Sequence, residues 1–341
     1  MGKILVTGGA GYIGSHTVVV LLEAGYDVCI VDDLSASDGQ LLNGINIITG
    51  KKPVFAKLNI CDYTSFNLFC RQHAPFDGVI HFAAYKSVNE SVEKPLDYYN
   101  NNLMGMINVL QMMNEYDIPR LVFSSSCSVY GQPKILPVTE LEPLGSPQSP
   151  YANTKKICED MIADVCRVSP QIHATILRYF NPIGAHPSAQ IGELPTGVPN
   201  NLVPYLTQTA AGQRPFLSVF GNDYDTPDGS CIRDFIHVDD LAHAHLSALR
   251  FTPTHSPEVF NIGTGNGISV FELLHAFEEA TGVKIPVRLS PRRHGDVEQV
   301  WANPNKAKKM LGWEAKYALH DALLSAWNWQ KSLDSFENKL P

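Results

Sequence analysis

Tyr151 and Lys155 stand four residues apart in Ser149-Pro150-Tyr151-Ala152-Asn153-Thr154-Lys155. Serine suits a helix N-cap and proline the first helical position, so the phenol and the ammonium fall one turn apart on one helix face. That placement has a chemical use. A phenol with its usual pKa of about 10 is a poor base at neutral pH, but a neighbouring ammonium, joined by a positively charged cofactor ring, favours phenolate and lets Tyr151 take a hydroxyl proton. A second set of hydroxyls, Ser124-Ser125-Ser126, ends the apolar run Leu121-Phe123, and open α/β sheets place their ligands at the carboxyl ends of strands. One of these serines can hold the reacting oxygen against Tyr151. Alone, Tyr-x-x-x-Lys reads as an ordinary surface pair; a cofactor signal elsewhere in the chain reverses that reading.

That signal lies at the N-terminus. Thr7-Gly8-Gly9-Ala10-Gly11-Tyr12-Ile13-Gly14 follows the short apolar run Ile4-Val6 and opens a helical stretch, Ser15-Glu23. Gly8, Gly11 and Gly14 allow a tight turn, close approach of backbone to a pyrophosphate and close packing of helix on strand, while the helix start offers free N–H groups and its positive end. The next apolar run, Val28-Val31, ends in Asp32 and Asp33, and Asp32 lies 18 residues past Gly14. At that spacing a carboxylate accepts hydrogen bonds from the adenosine ribose and repels a 2′-phosphate, so NAD is favoured over NADP.

These residues need a scaffold. Ile4-Val6, Val28-Val31, Val79-Phe82, Leu121-Ser124 and Thr175-Leu177 alternate with segments long enough for helices, which predicts β-α-β units and a parallel sheet buried on both faces. The fold class is α/β, a Rossmann-type doubly wound parallel sheet with a smaller C-terminal α/β substrate domain. After Phe180 the texture changes, with Pro182, Pro187, Pro195, Pro199 and Pro204 breaking the chain before a helical stretch at Leu202-Ala211. The expected organisation is a dinucleotide-binding domain over 1–180, to which 233–265 returns through Val259-Ile262, an interleaved substrate-binding domain over 181–330, and a tail over 331–341.

Composition narrows the function. The 341 residues, 44% hydrophobic and 18% charged, suit a folded protein of two packed units. A formal charge of −8, from 26 basic and 34 acidic residues with no basic stripe, argues against nucleic acid. Apolar runs of about five to seven residues fall well short of the roughly 20 that span a membrane. Neither a secretory h-region nor a myristoylation signal is expected, since Val6 stands where the latter wants Ser or Thr. The seven cysteines are scattered with no C-x-x-C pair, which predicts free thiols, a reducing cytoplasmic compartment and no metal.

With these residues assembled, the chain resembles the extended short-chain dehydrogenase/reductase family, and within it the nucleotide-sugar epimerases. The resemblance covers Lys3 to Trp329 and rests on Phe82-Ala83-Ala84-Tyr85-Lys86, Leu177-Arg178-Tyr179-Phe180-Asn181-Pro182, Pro199-Asn200-Asn201-Leu202 and Phe220-Gly221-Asn222-Asp223-Tyr224. It implies that Tyr12, Ile13, Asp32, Asn59, Ile60, Phe82, Ala83, Lys86, Asn101, Ser124, Lys155 and Phe180 hold NAD, and that Tyr151 and Ser126 meet the sugar's reacting hydroxyl. It further implies that Lys86, Asn181, Asn201 and Leu202 hold the sugar and nucleotide, with Ser218 and Phe220 near the uracil. Arg233, in Ile232-Arg233-Asp234-Phe235-Ile236-His237, and Arg293, in Pro291-Arg292-Arg293-His294-Gly295-Asp296, match diphosphate clamps, Asp296 matches a ribose partner, and Arg292 is left as surface. The implied activity is an isomerase interconverting UDP-galactose and UDP-glucose through a 4-keto sugar, in a homodimer paired through helices within 96–114 and 155–168.

Three departures bear on this. Val300 stands where some relatives carry a bulky aromatic, which leaves room for an N-acetyl group and predicts interconversion of UDP-N-acetylglucosamine and UDP-N-acetylgalactosamine as well. Ala84 and Tyr85 vary, and Asn59 replaces a common Asp. The nearest competing activity, a nucleotide-sugar 4,6-dehydratase, needs an acid and a base just after the residue matched by Ser126, where this chain has Cys127 and Ser128. A uronate 4-epimerase would need one more basic group facing C6, and a non-catalytic dinucleotide sensor would not need the Tyr151/Lys155 pair.

Overall fold

The computed structural model of the chain describes residues 2–37, 39–293 and 296–337, the last four as backbone only. His294 and Gly295 of the arginine motif and residues 338–341 of the tail lie outside the described residues. The first half alternates as its apolar runs predict: β1 (Lys3–Thr7), α1 (Tyr12–Glu23), β2 (Asp27–Asp32), α2 (Gln40–Thr49), β3 (Val54–Lys57), α3 (Tyr63–His73), β4 (Gly78–His81), α4 (Val88–Glu93), α5 (Pro95–Glu115), β5 (Arg120–Ser124), a 3₁₀ turn at Cys127–Tyr130, α6 (Pro150–Val168) and β6 (His173–Tyr179). The second half has shorter pieces: β7 (Asn181–Ile183), α7 (Leu202–Ala210), β8 (Leu217–Phe220), β9 (Ile232–Arg233), β10 (Phe235–His237), α8 (Val238–Arg250), β11 (Glu258–Ile262), β12 (Ile268–Ser269), α9 (Val270–Thr281), β13 (Val287–Ser290), β14 (Gln299–Val300), α10 (Asn305–Leu311) and α11 (Leu319–Glu337).

Seven strands form one sheet in the order β11-β6-β5-β4-β1-β2-β3, every neighbouring pair parallel. Burial on both faces explains the unbroken apolar runs: every residue of β4 is buried, and Leu5 of β1 lies in register with Cys29 on one side and Val79 on the other. The order reverses between β1 and β4, so their carboxyl ends open a crevice where ligands bind in such sheets. The edge strand β3 differs in burial rather than in composition. It carries a short apolar run, Val54-Phe55-Ala56, but three of its four residues are exposed.

Helices cover both faces. On one, α1 and α8 pack together through residues such as Val18, Leu21, Leu241 and Leu249; on the other, α3, α5 and α6 contribute Phe66, Met106, Val109 and Ile162. The late segment thus sends α8 and β11 back onto the first half, with Phe260 paired to Leu177. A separate cluster, including Val203, Leu206, Leu273, Phe277 and Leu323, joins α7, α9 and α11. Beside it lie the pair β8/β13 and the three-stranded sheet β12-β9-β14. Among the described residues no helix is long and apolar enough to cross a membrane.

Candidate active site

The turn after β1 is packed against β4 by steric necessity. Gly8 has φ of +73°, and a Cβ there would come 2.6 Å from the Ala83 nitrogen; a Cβ on Gly14 would come 2.2 Å from the Gly8 carbonyl oxygen. Gly11 differs. A Cβ on it would meet only the Gly8 oxygen, at 3.4 Å, and as the N-cap of α1 it supplies no side-chain acceptor. The first N–H groups of α1 therefore keep their hydrogen-bonding capacity and a hollow that only glycine leaves open, a fit to the pyrophosphate of a dinucleotide. Asp32 ends β2, its oxygens accepting from Ala10 N at 3.0 Å and Leu34 N at 2.9 Å, while burial raises its pKa. The Tyr12 hydroxyl turns away to donate to the Gly184 carbonyl at 2.6 Å.

The helix α6 begins as its sequence predicts, with Ser149 Oγ accepting from Ala152 N at 3.2 Å and Pro150 at the first position. Tyr151 and Lys155 are both buried. Lys155 Nζ donates to the Ser124 carbonyl at 2.7 Å and lies 4.8 Å from the Phe123 ring centre, so the ammonium pins the end of β5. Burial lowers it to about 8, against the attraction of Cys158 and Glu159. Burial pushes the Tyr151 phenol well up, Tyr179 adds to this, and a hydrogen bond with the Ser126 side chain pulls the other way. The protein's own groups thus leave Tyr151 protonated at neutral pH, burial being the chief cause. Ser126 is the serine brought to the phenol. Ser124 Oγ instead donates to Tyr179, and Ser125 Oγ to Glu159. At the neighbouring end of β4, His81 Nδ1 and Thr7 Oγ1 hydrogen-bond at 2.7 Å, and burial with the Lys155 charge lowers the imidazole to about 3.

The loop Phe82–Lys86 leaves β4 toward α5, where Asn102 accepts from Tyr85 N at 2.8 Å and donates to its carbonyl and to Thr154 Oγ1. Asn102 ties that loop to α6 beside Tyr151, a role that no local signal announces. Asn101, next to it, donates to the Asn102 side chain. Lys86 Nζ, largely exposed, sits 3.4 Å from Glu193, whose carboxylate also accepts from Asn201 at 2.6 Å. Asn59 lies on the β3 side, its side chain accepting from Cys61 N, and the Ile60 carbonyl accepts from Asn108.

Across the crevice, Asn181 follows Phe180 into β7, and Asn201 and Leu202 open α7. Ser218 and Phe220 lie on β8, with the Arg293 guanidinium 5.6 Å from the Phe220 ring centre. Arg293 also forks onto Asp296 at 2.7–3.2 Å, so two residues matched to different parts of a nucleotide pair with each other. Arg233 on β9 donates to the Ile232 and Glu298 carbonyls and lies in register with Val300. Val300 is 5% exposed, clustered with Val129, Tyr130, Val138, Phe180 and Ala302. Arg292 is separate, paired with Asp223 and stacked 4.1 Å from the Tyr224 ring centre.

Residues 5–325 match a family profile described as GDP-mannose 4,6 dehydratase. The chain is 49% identical over 329 residues to UDP-glucose 4-epimerase of Yersinia enterocolitica, covering 96% of this chain and 97% of that one. Among solved structures it superposes on UDP-glucose 4-epimerase from Bifidobacterium longum, in complex with NAD+ and UDP, with a TM-score of 0.94 at 42% identity, covering 97% and 98%. The corresponding enzyme of Stenotrophomonas maltophila, with bound NAD and formylated UDP-arabinopyranose, gives 0.95 at 45%, covering 98% and 100%. Similarity of this depth spans the glycine turn, the Tyr151 helix and both arginine segments together, and the chain belongs to the UDP-glucose 4-epimerase family of extended short-chain dehydrogenase/reductases.

Proposed function

We propose that this chain interconverts UDP-glucose and UDP-galactose by transient oxidation at the hexose C4, with NAD retained as a prosthetic group. The observation that carries the reading is the burial of Tyr151, Ser126 and Lys155 together at the carboxyl end of β5, beside the crevice that the glycine turn opens. Gly8, Gly11, Tyr12, Ile13 and Gly14 would hold the pyrophosphate, Asp32 the adenosine ribose, Asn59 and Ile60 the adenine end, and Phe82, Ala83, Lys86, Asn101, Ser124 and Phe180 the remainder. NAD, when bound, supplies a reversible hydride acceptor and a positive ring that favours a nearby phenolate. Tyr151 takes the proton of the 4-hydroxyl as C4 is oxidised and returns it as C4 is reduced, while Ser126 holds that oxygen. Lys155 keeps the end of β5 in place through Ser124 and supplies positive charge beside the phenol. Arg233 and Arg293 grip the diphosphate, Ser218, Phe220 and Asp296 the uridine, and Asn181, Asn201 and Leu202 the sugar side. The flat 4-keto hexose can then swing about its tether and offer its opposite face.

Tyr151→Phe is expected to lower kcat by about 10²–10⁴-fold while bound NAD is retained. A variant keeping most of its rate would refute the proton-transfer role. A C4 deuterium label should survive into the product. Dehydration is disfavoured by the same site: burial pushes the Cys127 thiol up to about 12, and the Ser128 hydroxyl is buried without a hydrogen-bond partner among the described residues. Neither is suited to serve as the acid or base of a dehydration at neutral pH.

The Val300 position supports a wider substrate range. It lies in register with Arg233 and packs in the cluster of Val129, Tyr130, Val138, Phe180 and Ala302; by resemblance a side chain smaller than an aromatic at this position admits the N-acetyl sugars, and Val300→Tyr should abolish that activity while sparing UDP-galactose. The free thiols of all seven cysteines suit a cytoplasmic setting. Leu96, Met104 and Ile107 of α5 and Val88 and Val92 of α4 are exposed, which suits a helix-paired homodimer that sedimentation would reveal.

A further inference from the structure

Directly behind the reacting residues lies a buried ion pair that the chemistry above leaves unused. Glu159, one turn beyond Lys155 on α6, and Arg178, one residue before Tyr179 on β6, have side chains only 6% and 7% exposed. The guanidinium forks onto the carboxylate, with Nε 3.1 and 3.2 Å from its two oxygens and Nη2 2.6 Å from Oε2. Each member then reaches the segment that carries Ser126. Glu159 Oε1 accepts from Ser125 Oγ at 2.5 Å, and Arg178 Nη1 donates to the Tyr130 hydroxyl at 3.0 Å with its guanidinium 5.0 Å from that ring centre. Tyr130 continues the chain of contacts by donating to Asn261 Oδ1 at 2.7 Å, and Asn261 donates to the Val138 carbonyl at 2.9 Å.

Stability is a poor reason for such a pair, since well-packed apolar residues of similar volume often do as well or better once desolvation is counted. Geometry supplies another reason. The segment from Ser124 to Tyr130 is held at its start by Lys155 on the Ser124 carbonyl, then by Glu159 on Ser125, and at its end by Arg178 on Tyr130. Ser126 lies between these anchors, its Oγ also accepting from Ser128 N at 3.2 Å, so its approach to Tyr151 is set by residues that do not touch the sugar. We propose that Glu159 and Arg178 are positioning residues for the C4 chemistry, a buried clamp that fixes the Ser124–Tyr130 segment so that Ser126 presents the reacting hydroxyl to Tyr151. This rests on the roles proposed above for Tyr151 and Ser126.

The test is Glu159→Met/Arg178→Met, which removes both charges without leaving either one buried alone. Thermal stability, bound NAD and UDP affinity by calorimetry are measured beside kcat and KM. The expected result is a folded protein with bound NAD and UDP affinity within about twofold of the parent, KM within about threefold, and kcat lowered about tenfold or more, as misplacement of a reacting group by a fraction of an ångström produces. Parental kcat in the folded double variant overturns the proposal, and so does a kcat loss that merely follows loss of bound NAD. Should the double variant fail to fold, Ser125→Ala decides: kcat about three- to tenfold lower at full NAD content supports the clamp, and unchanged kcat overturns it. Tyr151→Phe separates the two levels. If it stays active the underlying reading fails, whereas an inactive Tyr151→Phe beside a fully active clamp variant refutes the clamp alone.

Discussion

Around the β1 turn the crevice is walled by backbone, whereas its opposite wall is made of long side chains. Gly8 and Gly14 fit against Ala83 and each other with no space for a methyl group, and both Asp32 oxygens accept from main-chain N–H groups. On the far side, Arg233 leans on two carbonyls, Arg293 pairs with Asp296 over Phe220, and Asn201 donates to Glu193. A steric fit has no second partner to exchange with; a guanidinium on a carboxylate can trade it for a phosphate with little rearrangement. The first wall is therefore suited to keep what it binds, and the second to take hold and let go. An epimerase that recycles its cofactor and releases a nucleotide sugar needs both.

The largest effect expected from this contrast is at Gly14. A Cβ there meets a backbone carbonyl at 2.2 Å, which cannot yield as a flexible side chain would, so Gly14→Ala should lose about 3 kcal/mol or more in denaturant unfolding and purify without NAD. Full NAD content in that variant would break the contrast. On the opposite wall, Arg293→Ala should weaken UDP binding about tenfold or more in calorimetry with little change in melting, since a charged hydrogen-bonding group is lost but no packing is violated. Its neighbour Arg292, paired with Asp223 at the surface, should change UDP binding by less than about twofold when replaced by Ala. Equal effects at the two arginines would erase the distinction between clamp and surface.

The contrast also has a pH dependence, at Lys155. Its folded value of about 8 lies below the usual 10.5, so between these values the unfolded chain binds more protons and stability rises with pH. Lys155→Met removes that rise. The variant's stability relative to the parent should be greatest near pH 7 and shrink toward pH 10, measured by urea unfolding at each pH. A constant difference would mean that burial does not perturb the ammonium, and would make this wall as adaptable as the other.

Legibility in the sequence follows how far apart interacting residues lie in the chain. The glycine turn, the Ser149 cap and the Tyr151/Lys155 spacing are local, and they fold as their order predicts; α1 begins at Tyr12, three residues before the expected Ser15, because Gly11 caps it. The parallel sheet was legible for the same reason, strand by strand, except at the exposed edge β3. Asn102, Glu193 and the Glu159–Arg178 pair were not. Asn102 meets Tyr85 and Thr154, Glu193 meets Lys86, and Glu159 meets Arg178 and Ser125, and no spacing rule connects such positions. Arg233 and Arg293 reached the candidate site through family resemblance, since an arginine in isolation looks like any solvated charge.

By itself, the amino-acid order determined the elements and their chemistry: alternating apolar runs, a glycine turn before a helix, a phenol one helical turn from an ammonium. Only the tertiary structure decided that Lys155 points at a carbonyl, that Ser124 and Ser125 turn to Tyr179 and Glu159, and that burial pushes the Tyr151 phenol further up. Periodicity and caps are properties of neighbouring residues, whereas desolvation and partner choice depend on what the rest of the chain folds against them.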